Sequence, residues 1–303
     1  MSVLSTSGAS ATGWRKIAAF AAIYVIWGST YLAIAFAVET LPPFLMAGMR
    51  FLLAGAILYS WAVWRGAKAP SLFHWRNTAI IGGCLLLLGN GAVVWAEQKV
   101  PSGIAALLVT TEPLWIVVLQ WVGKSRQVPS KGVLLGLVIG VVGMIILVSP
   151  WELEGGVDMM GSIAILLAAG AWAWGSLFSS KATLPDSPIL TTGMQMLCGG
   201  GLLFLTGTIA GEWQTTDWGV VSQRSWLALA YLVVFGSLIA FSAYSWLTRV
   251  APPSQVSTYA YVNPVIAVLL GWALAHEVIT GQTIIATVLL VAAVVLITIK
   301  SKH

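Results

Sequence analysis

Charge is what this chain has least of. Lys, Arg, Asp and Glu make up 8% of its 303 residues, against about 25% in a soluble domain, and that deficit excludes a water-soluble globule. Cysteine is nearly absent: Cys84 and Cys198 both lie in apolar runs, where neither a disulfide framework nor a tetrahedral metal site can be assembled, so both read as inert. The three histidines, His74, His276 and His303, stand too far apart to hold a metal or to serve a serine nucleophile. A phosphate loop is missing as well. Gly123-Lys124-Ser125 ends like one, but position 118 is Val where Gly is required, and the segment joins apolar runs. No cofactor, metal or enzymatic centre is therefore expected. The formal charge of +5 comes from bases scattered over short loops rather than gathered in one run, which gives nucleic acid no patch to bind.

What the chain does have is apolar length. Hydrophobic residues reach 58% and the mean hydropathy is +0.91. A bilayer crossing takes about 20 apolar residues, or about 30 with its loop, so this length holds roughly ten spans and no soluble domain. The runs fall at about 17–38, 43–64, 78–97, 102–122, 132–149, 161–180, 189–210, 225–247, 254–275 and 282–299. The first, Ile17 to Val38, is too long for a signal-peptide core and is expected to be retained. Thirty-one glycines exceed the usual share of about 7%, and in membranes small residues allow helices to approach closely. The expected fold is an all-α integral membrane protein.

With the N-terminus inside, twelve of the fifteen bases share one face: Arg15, Lys16, Arg65, Lys68, Arg76, Lys124, Arg126, Lys131, Lys181, Arg249, Lys300 and Lys302. Lys99 and Arg224 lie opposite, Arg50 lies within a span, and the loop between the halves carries Glu152, Glu154 and Asp158 without a base. The asymmetry predicts that both termini are cytoplasmic.

The two halves echo one another. Trp27-Gly28-Ser29 recurs as Trp174-Gly175-Ser176, Gly48-Met49 as Gly193-Met194, Gly89-Asn90 as Gly236-Ser237, and Glu112-Pro113 as Asn263-Pro264. Ordered matches across four helices predict a duplication, and five spans per copy predict that the second copy is inverted in the bilayer. The expected organisation is a tail at 1–16, a first five-helix repeat at 17–149, an extracytoplasmic linker at 150–160, a second, inverted repeat at 161–299 and a tail at 300–303.

Polar groups at membrane depth mark the candidate site. Glu112 lies near the middle of the fourth span, where an ionised carboxylate costs about 2.5–3.5 kcal/mol on insertion scales, so it is expected to face protein or water. It can take a proton, hold a substrate amine or neutralise Arg50, the one intramembrane base. Pro113 and Pro264 each remove a helical donor, which predicts paired breaks in the fourth and ninth spans as hinges around a midplane site. Glu97 and Glu277, at span ends, read as solvated boundary carboxylates, and His276 beside Glu277 as a boundary residue. Most of the sixteen tryptophans, including Trp14, Trp61, Trp64, Trp75, Trp121, Trp151, Trp213, Trp218 and Trp226, fall near span ends as interfacial belts do. Trp27, Trp95, Trp115, Trp174 and Trp246 lie deeper. Tyr24, Trp27 and Tyr31 share one helical face, Tyr259 and Asn263 another, and Glu112 and Trp115 a third. Rings beside a few polar groups suit amphipathic organic molecules or cations.

Several stretches together carry a resemblance: Ile26-Trp27-Gly28-Ser29-Thr30-Tyr31, Pro42-Pro43, Arg50-Phe51, Val100-Pro101-Ser102-Gly103 and Ala260-Tyr261-Val262-Asn263-Pro264-Val265. Over nearly its whole length the chain resembles the EamA branch of the drug/metabolite transporter superfamily. The resemblance implies ten helices as two inverted five-helix repeats around a central cavity, built by the first, third, fourth, sixth, eighth and ninth spans. It selects Trp27, Asn90, Trp95, Glu112, Trp174, Ser237, Tyr244, Tyr259 and Asn263 as substrate-binding, to which residue spacing adds Trp115. The activity implied is export of small amphipathic metabolites, amino acids foremost, with multidrug or organic-cation export as the alternative within the carrier class and an intramembrane enzyme the alternative outside it. Small multidrug relatives use a glutamate in the first helix; none stands between Ile17 and Val38, so the resemblance does not extend to proton antiport by that device. The expected partners are a small-molecule substrate and the lipid bilayer, with no nucleic acid, around a monomer of internal pseudo-twofold symmetry.

Overall fold

A computed structural model describes residues 6–123, 130–148, 158–251 and 259–300, and every element in them is helical. Trp151, Glu152, Glu154, Lys124, Arg126, Lys302 and His303 lie outside the described residues, as do the side chains of Arg249 and Lys300. The first half runs through α1 (Thr6–Val38), α2 (Pro43–Trp64) and α3 (Leu72–Gly82). α3 continues through a π-helical segment, Gly83–Gly91, into α4 (Ala92–Ala96). α5 (Ser102–Val109), α6 (Glu112–Val122) and α7 (Lys131–Val148) complete it. The second half holds α8 (Met159–Ser179), α9 (Pro188–Ile209), the short α10 (Glu212–Thr215) and a rod made of α11 (Gln223–Tyr231), a second π segment, Leu232–Ile239, and α12 (Ala240–Val250). α13 (Tyr259–Ala275) and α14 (Gly281–Lys300) end the chain.

Seven helical rods are long and apolar enough to cross a membrane, and three shorter apolar helices, Lys131–Leu147, Val262–Ala275 and Gly281–Ile297, accompany them. The seven coincide with the first four and the sixth to eighth of the apolar runs in the sequence. The shorter three are the fifth, ninth and tenth, each bordering a stretch outside the described residues. The lipid-facing character of the rods shows in Leu135, Val138, Val142 and Ile145 of α7 and Ile284, Ile285 and Val288 of α14, all exposed. Such surface is unfavourable in water and at ease among acyl chains.

Glycine sets the tightest packing. A Cβ on Gly48 of α2 would stand 2.7 Å from the backbone nitrogen of Phe204 in α9, and one on Gly55 2.8 Å from that of Leu197. Reciprocally, Gly193 of α9 would meet the nitrogen of Tyr59 at 2.7 Å and Gly200 that of Leu52 at 2.8 Å. Each helix thus carries two glycines seven residues apart, and the partners descend in one helix as they ascend in the other, so α2 and α9 pack antiparallel. α7 and α14 do the same: Gly136 lies against Ile297, Gly140 against Ala293 and Gly143 against Leu290. Without water to drive apolar association, such close backbone approach is what holds membrane helices together.

Helix starts are capped by local rules at several places: Ser187 accepts from Leu190 N, Ser222 from Ser225 N and Asp158 from Gly161 N. Two others are capped from the opposite half. Glu212 accepts from Phe44 N at 3.1 Å and Leu45 N at 2.8 Å at the start of α2. Glu277 accepts from Ser102 N at 2.8 Å, Ser102 Oγ at 2.6 Å and Gly103 N at 3.1 Å at the start of α5. A carboxylate satisfies free N–H groups there and meets the positive end of the helix dipole. His276 supplies the turn that aims Glu277: at φ 56° it folds the chain back, and Glu277 N donates to Gly271 O at 3.1 Å.

Glu277 is therefore not the solvated boundary group that its place at a span end predicts, and neither is Glu97. Glu97 is 6% exposed, and neither of its carboxylate oxygens has a hydrogen-bond partner among the described residues. Both clamps lie at the end of the bundle where the connections around 39–42, 97–101, 210–222 and 276–280 gather. Thr40 adds a bond to Ser225 there, and Glu39 an ion pair to Arg224. At the opposite end, among the described residues, Asn77 Nδ2 donates to Thr183 O at 2.9 Å.

Candidate substrate cavity

Near the middle of the bundle a cavity of about 100 Å3 opens between the first, third, fourth, sixth, eighth and ninth rods, with Arg50 and Phe51 of α2 added. Trp27, Thr30, Tyr31 and Ile34 come from α1. The third rod contributes Leu86, Gly89 and Asn90 from its π segment and Val93 from α4. Val109 and Glu112 come from either side of the α5–α6 junction, Trp172 from α8, Phe241 from α12, and Tyr259 and Asn263 from α13.

The π segments shape this wall. A π turn takes an extra residue and is frequent at functional sites, and here it occurs twice, at matching places: Gly89-Asn90 lies in the first segment and Gly236-Ser237 in the second. The fourth rod is interrupted instead. Its helix stops at Val109 and resumes at Glu112, and the hydroxyls of Thr110 and Thr111 donate to the carbonyls of Leu107 and Leu108. Pro113 then falls in the first turn of α6, where no donor is lost. The ninth rod differs: Pro264 lies inside α13, which runs unbroken from Tyr259 to Ala275. The expected pair of broken helices is thus realised in the first half alone. Asn263, in the amide orientation that suits its surroundings, donates to the carbonyls of Tyr24 at 3.1 Å and Tyr259 at 3.2 Å.

Glu112 is 9% exposed, begins α6, and accepts a hydrogen bond from Tyr259 OH at 3.3 Å. Its place in the first turn of a helix offsets part of the cost of a carboxylate at this depth. Arg50, 3% exposed, donates through Nε to Ser237 Oγ at 2.9 Å and lies over the Phe51 ring. Its Nη1 has no partner among the described residues. An Arg50–Glu112 ion pair, one of the three roles open to Glu112, is absent among the described residues, where the salt bridge present is Glu39–Arg224. Around Trp27 the rings form a box: Phe241 at 5.2 Å, Tyr244 at 5.1 Å and Tyr259 at 5.3 Å between centroids. Trp27 Nε1 is tied to Gly236 O at 3.3 Å.

Of the residues selected from sequence, Trp27, Asn90, Glu112, Tyr259 and Asn263 line the cavity. Tyr244 stands one layer behind, against Trp27 and Tyr259, and Ser237 is fully buried under Arg50. Three lie elsewhere. Trp115 packs against Gly170 of α8. Trp95 lines a surface bowl with Pro42, Phe44 and Glu212. Trp174 is 44% exposed and stacked on Phe178 at 5.4 Å, so it does not approach the cavity as its match to Trp27 implied. Trp172, two residues earlier, takes the inward position, since residues two apart in a helix face different sides. Trp172, Tyr31, Thr30 and Phe241 were not selected from sequence. For Tyr31 the signal was present in the face it shares with Trp27.

Residues 14–149 and 159–299 each match the EamA-like transporter family. The chain is 42% identical to the inner membrane transporter YedA of Escherichia coli (strain K12) over 281 residues, 92% of this chain and 89% of that one. It is 26% identical to the protein PecM of Dickeya dadantii (strain 3937) over 276 residues, 90% and 88% of the two chains. A solved protein structure covers 96% of this chain and 98% of its own at a TM-score of 0.65 and 20% identity, a likeness of fold. Two copies of one family's sequence pattern, together spanning most of the chain, place this protein in the EamA-like transporter family.

Proposed function

We propose that this membrane transporter of the EamA type exports small amphipathic solutes, amino acids foremost, through the central cavity by alternating access. The observation that carries this reading is the aromatic box around Trp27 beside Glu112, Asn90 and Asn263 at mid-bundle. Rings take up an apolar side chain while a few polar groups fix orientation. Its size supports a moving wall. About 100 Å3 is below the roughly 300–1,000 Å3 of sites that enclose a drug-sized ligand, so loading requires the rods to part.

The membrane arrangement belongs to the same proposal: ten spans in two inverted five-helix repeats, both termini cytoplasmic. Antiparallel packing of α2 on its counterpart α9, and of α7 on α14, supports inversion. The twelve-to-two distribution of bases supports the orientation. In that orientation the rim clamped by Glu212 and Glu277 is the extracytoplasmic one, and rocking opens the other rim first.

Organic-cation export is a second reading, favoured by a carboxylate among rings. Counterflow in liposomes, with radiolabelled amino acids and organic cations, with and without a pH gradient, tests both. Amino-acid flux is expected. Flux of cations alone would replace the first reading with the second, and no flux of either would end the carrier proposal. Indifference to the pH gradient would remove Glu112 as a coupling group.

A further inference from the structure

Three polar groups on the cavity wall stand unequally provided for. Among the described residues, Arg50 Nη1 is buried with no acceptor, and Asn90 Oδ1 is buried with no donor. Glu112 has one carboxylate oxygen bonded to Tyr259 OH. Buried polar atoms in folded proteins are nearly always paired, and orphans on two residues that line one cavity call for a partner, which a ligand can bring. Protein partners do not fill the gap: Glu97 also needs a donor, yet does not reach the guanidinium. Ser237 Oγ on Nε and the Phe51 ring beneath fix the Arg50 head in place.

We propose, resting on the carrier reading above, that the cavity recognises a zwitterion: Arg50 Nη1 takes the carboxylate, while Glu112 and Asn90 Oδ1 take the ammonium. Among the described residues the wall holds one cation and one anion that do not pair with each other, so a solute with one charge of each sign leaves neither uncompensated. A simple organic cation satisfies Glu112 and leaves Arg50 Nη1 bare; a simple carboxylate does the reverse. A site built to bond a ligand group rejects analogues lacking that group far more sharply than a merely apolar pocket does. The ring box around Trp27 then receives the side chain, which makes α-amino acids the chemical class that fits.

Inhibition of counterflow in liposomes containing the full-length protein tests this, with the twenty common amino acids as first probes. Those that bind are then compared with their carboxamides and their deaminated acids. The amino acid is expected to bind at least about tenfold better than either analogue. Arg50→Gln should reduce the discrimination against the carboxamide to about twofold while keeping that against the deaminated acid, and Glu112→Gln should do the converse. Should either variant fail to insert, the wild-type comparison decides alone. Equal binding of amino acid and carboxamide would overturn the inference, as would failure of all twenty amino acids to bind. In the latter case, flux of tetraphenylphosphonium would leave the carrier reading standing, and its absence would remove that too.

Discussion

The two halves of the chain agree where backbone meets backbone and differ where side chains meet the cavity. α2 and α9 carry glycines at the same spacing of seven, each against the other's main chain, and the third and eighth rods share a π segment at the same place. The fourth rod, by contrast, is broken before Glu112, while its counterpart α13 runs on through Asn263 and Pro264. Trp27 sits in the ring box and its counterpart Trp174 lies on the outside. Backbone contacts tolerate no added carbon, so they hold the copies in step. Cavity positions carry no such constraint, and the result is a near-symmetric frame around an asymmetric cavity, with the Glu112 carboxylate on one side.

The frame should break equally from either half. Gly48→Leu and Gly200→Leu each force a carbon into backbone less than 3 Å away, and both should abolish properly folded protein, measured by monodispersity in detergent and protease resistance. A loss from one variant alone would show the α2–α9 equivalence to be superficial. The site should break unequally: Trp27→Ala should cut flux at least about tenfold, and Trp174→Ala should change it by about twofold or less. Equal losses would place Trp174 back in the transport path. A finer contrast follows between the members of the Glu112/Asn263 pair. Glu112→Gln should reduce uptake of ammonium-bearing solutes by about tenfold, and Asn263→Ala, which removes bonds to two carbonyls, by a few-fold. Smallest are the clamps. Glu212→Ala and Glu277→Ala should each cost about 1–2 kcal/mol, read as lower melting temperatures. A drop confined to one would show that the two rim contacts do not share the work.

Much of the frame was legible because it rests on residue identity: long apolar runs, repeated glycines, and the Trp-Gly-Ser echo. That Trp27, Glu112, Tyr259 and Asn263 gather around one cavity was legible because polar and aromatic groups stand out against apolar helices. The π segments were not. Leu85, Leu86, Leu87 and Leu88 read the same in an α or a π turn, so periodicity gives no warning. Glu97 and Glu277 were misread for a related reason: a carboxylate at a span end looks alike whether it meets water, a neighbouring helix start or, as Glu97 does, no donor at all. Trp174 was misplaced because a match between copies fixes a position along the helix, and the face it presents depends on packing that the copies no longer share. Proline at 264 predicted a break that α13 absorbs.

The widened turn at Gly83–Gly91 gives the third rod a residue to spare. In an unbroken α-helix the loss of one residue turns everything beyond it by about 100°. Loss of a single leucine codon before Gly89 would instead be taken up as the π turn narrows to an α turn, leaving α4 facing as it does. The apolar stretch thus carries its own slack, a place where the chain can shorten by one letter without rotating the binding wall.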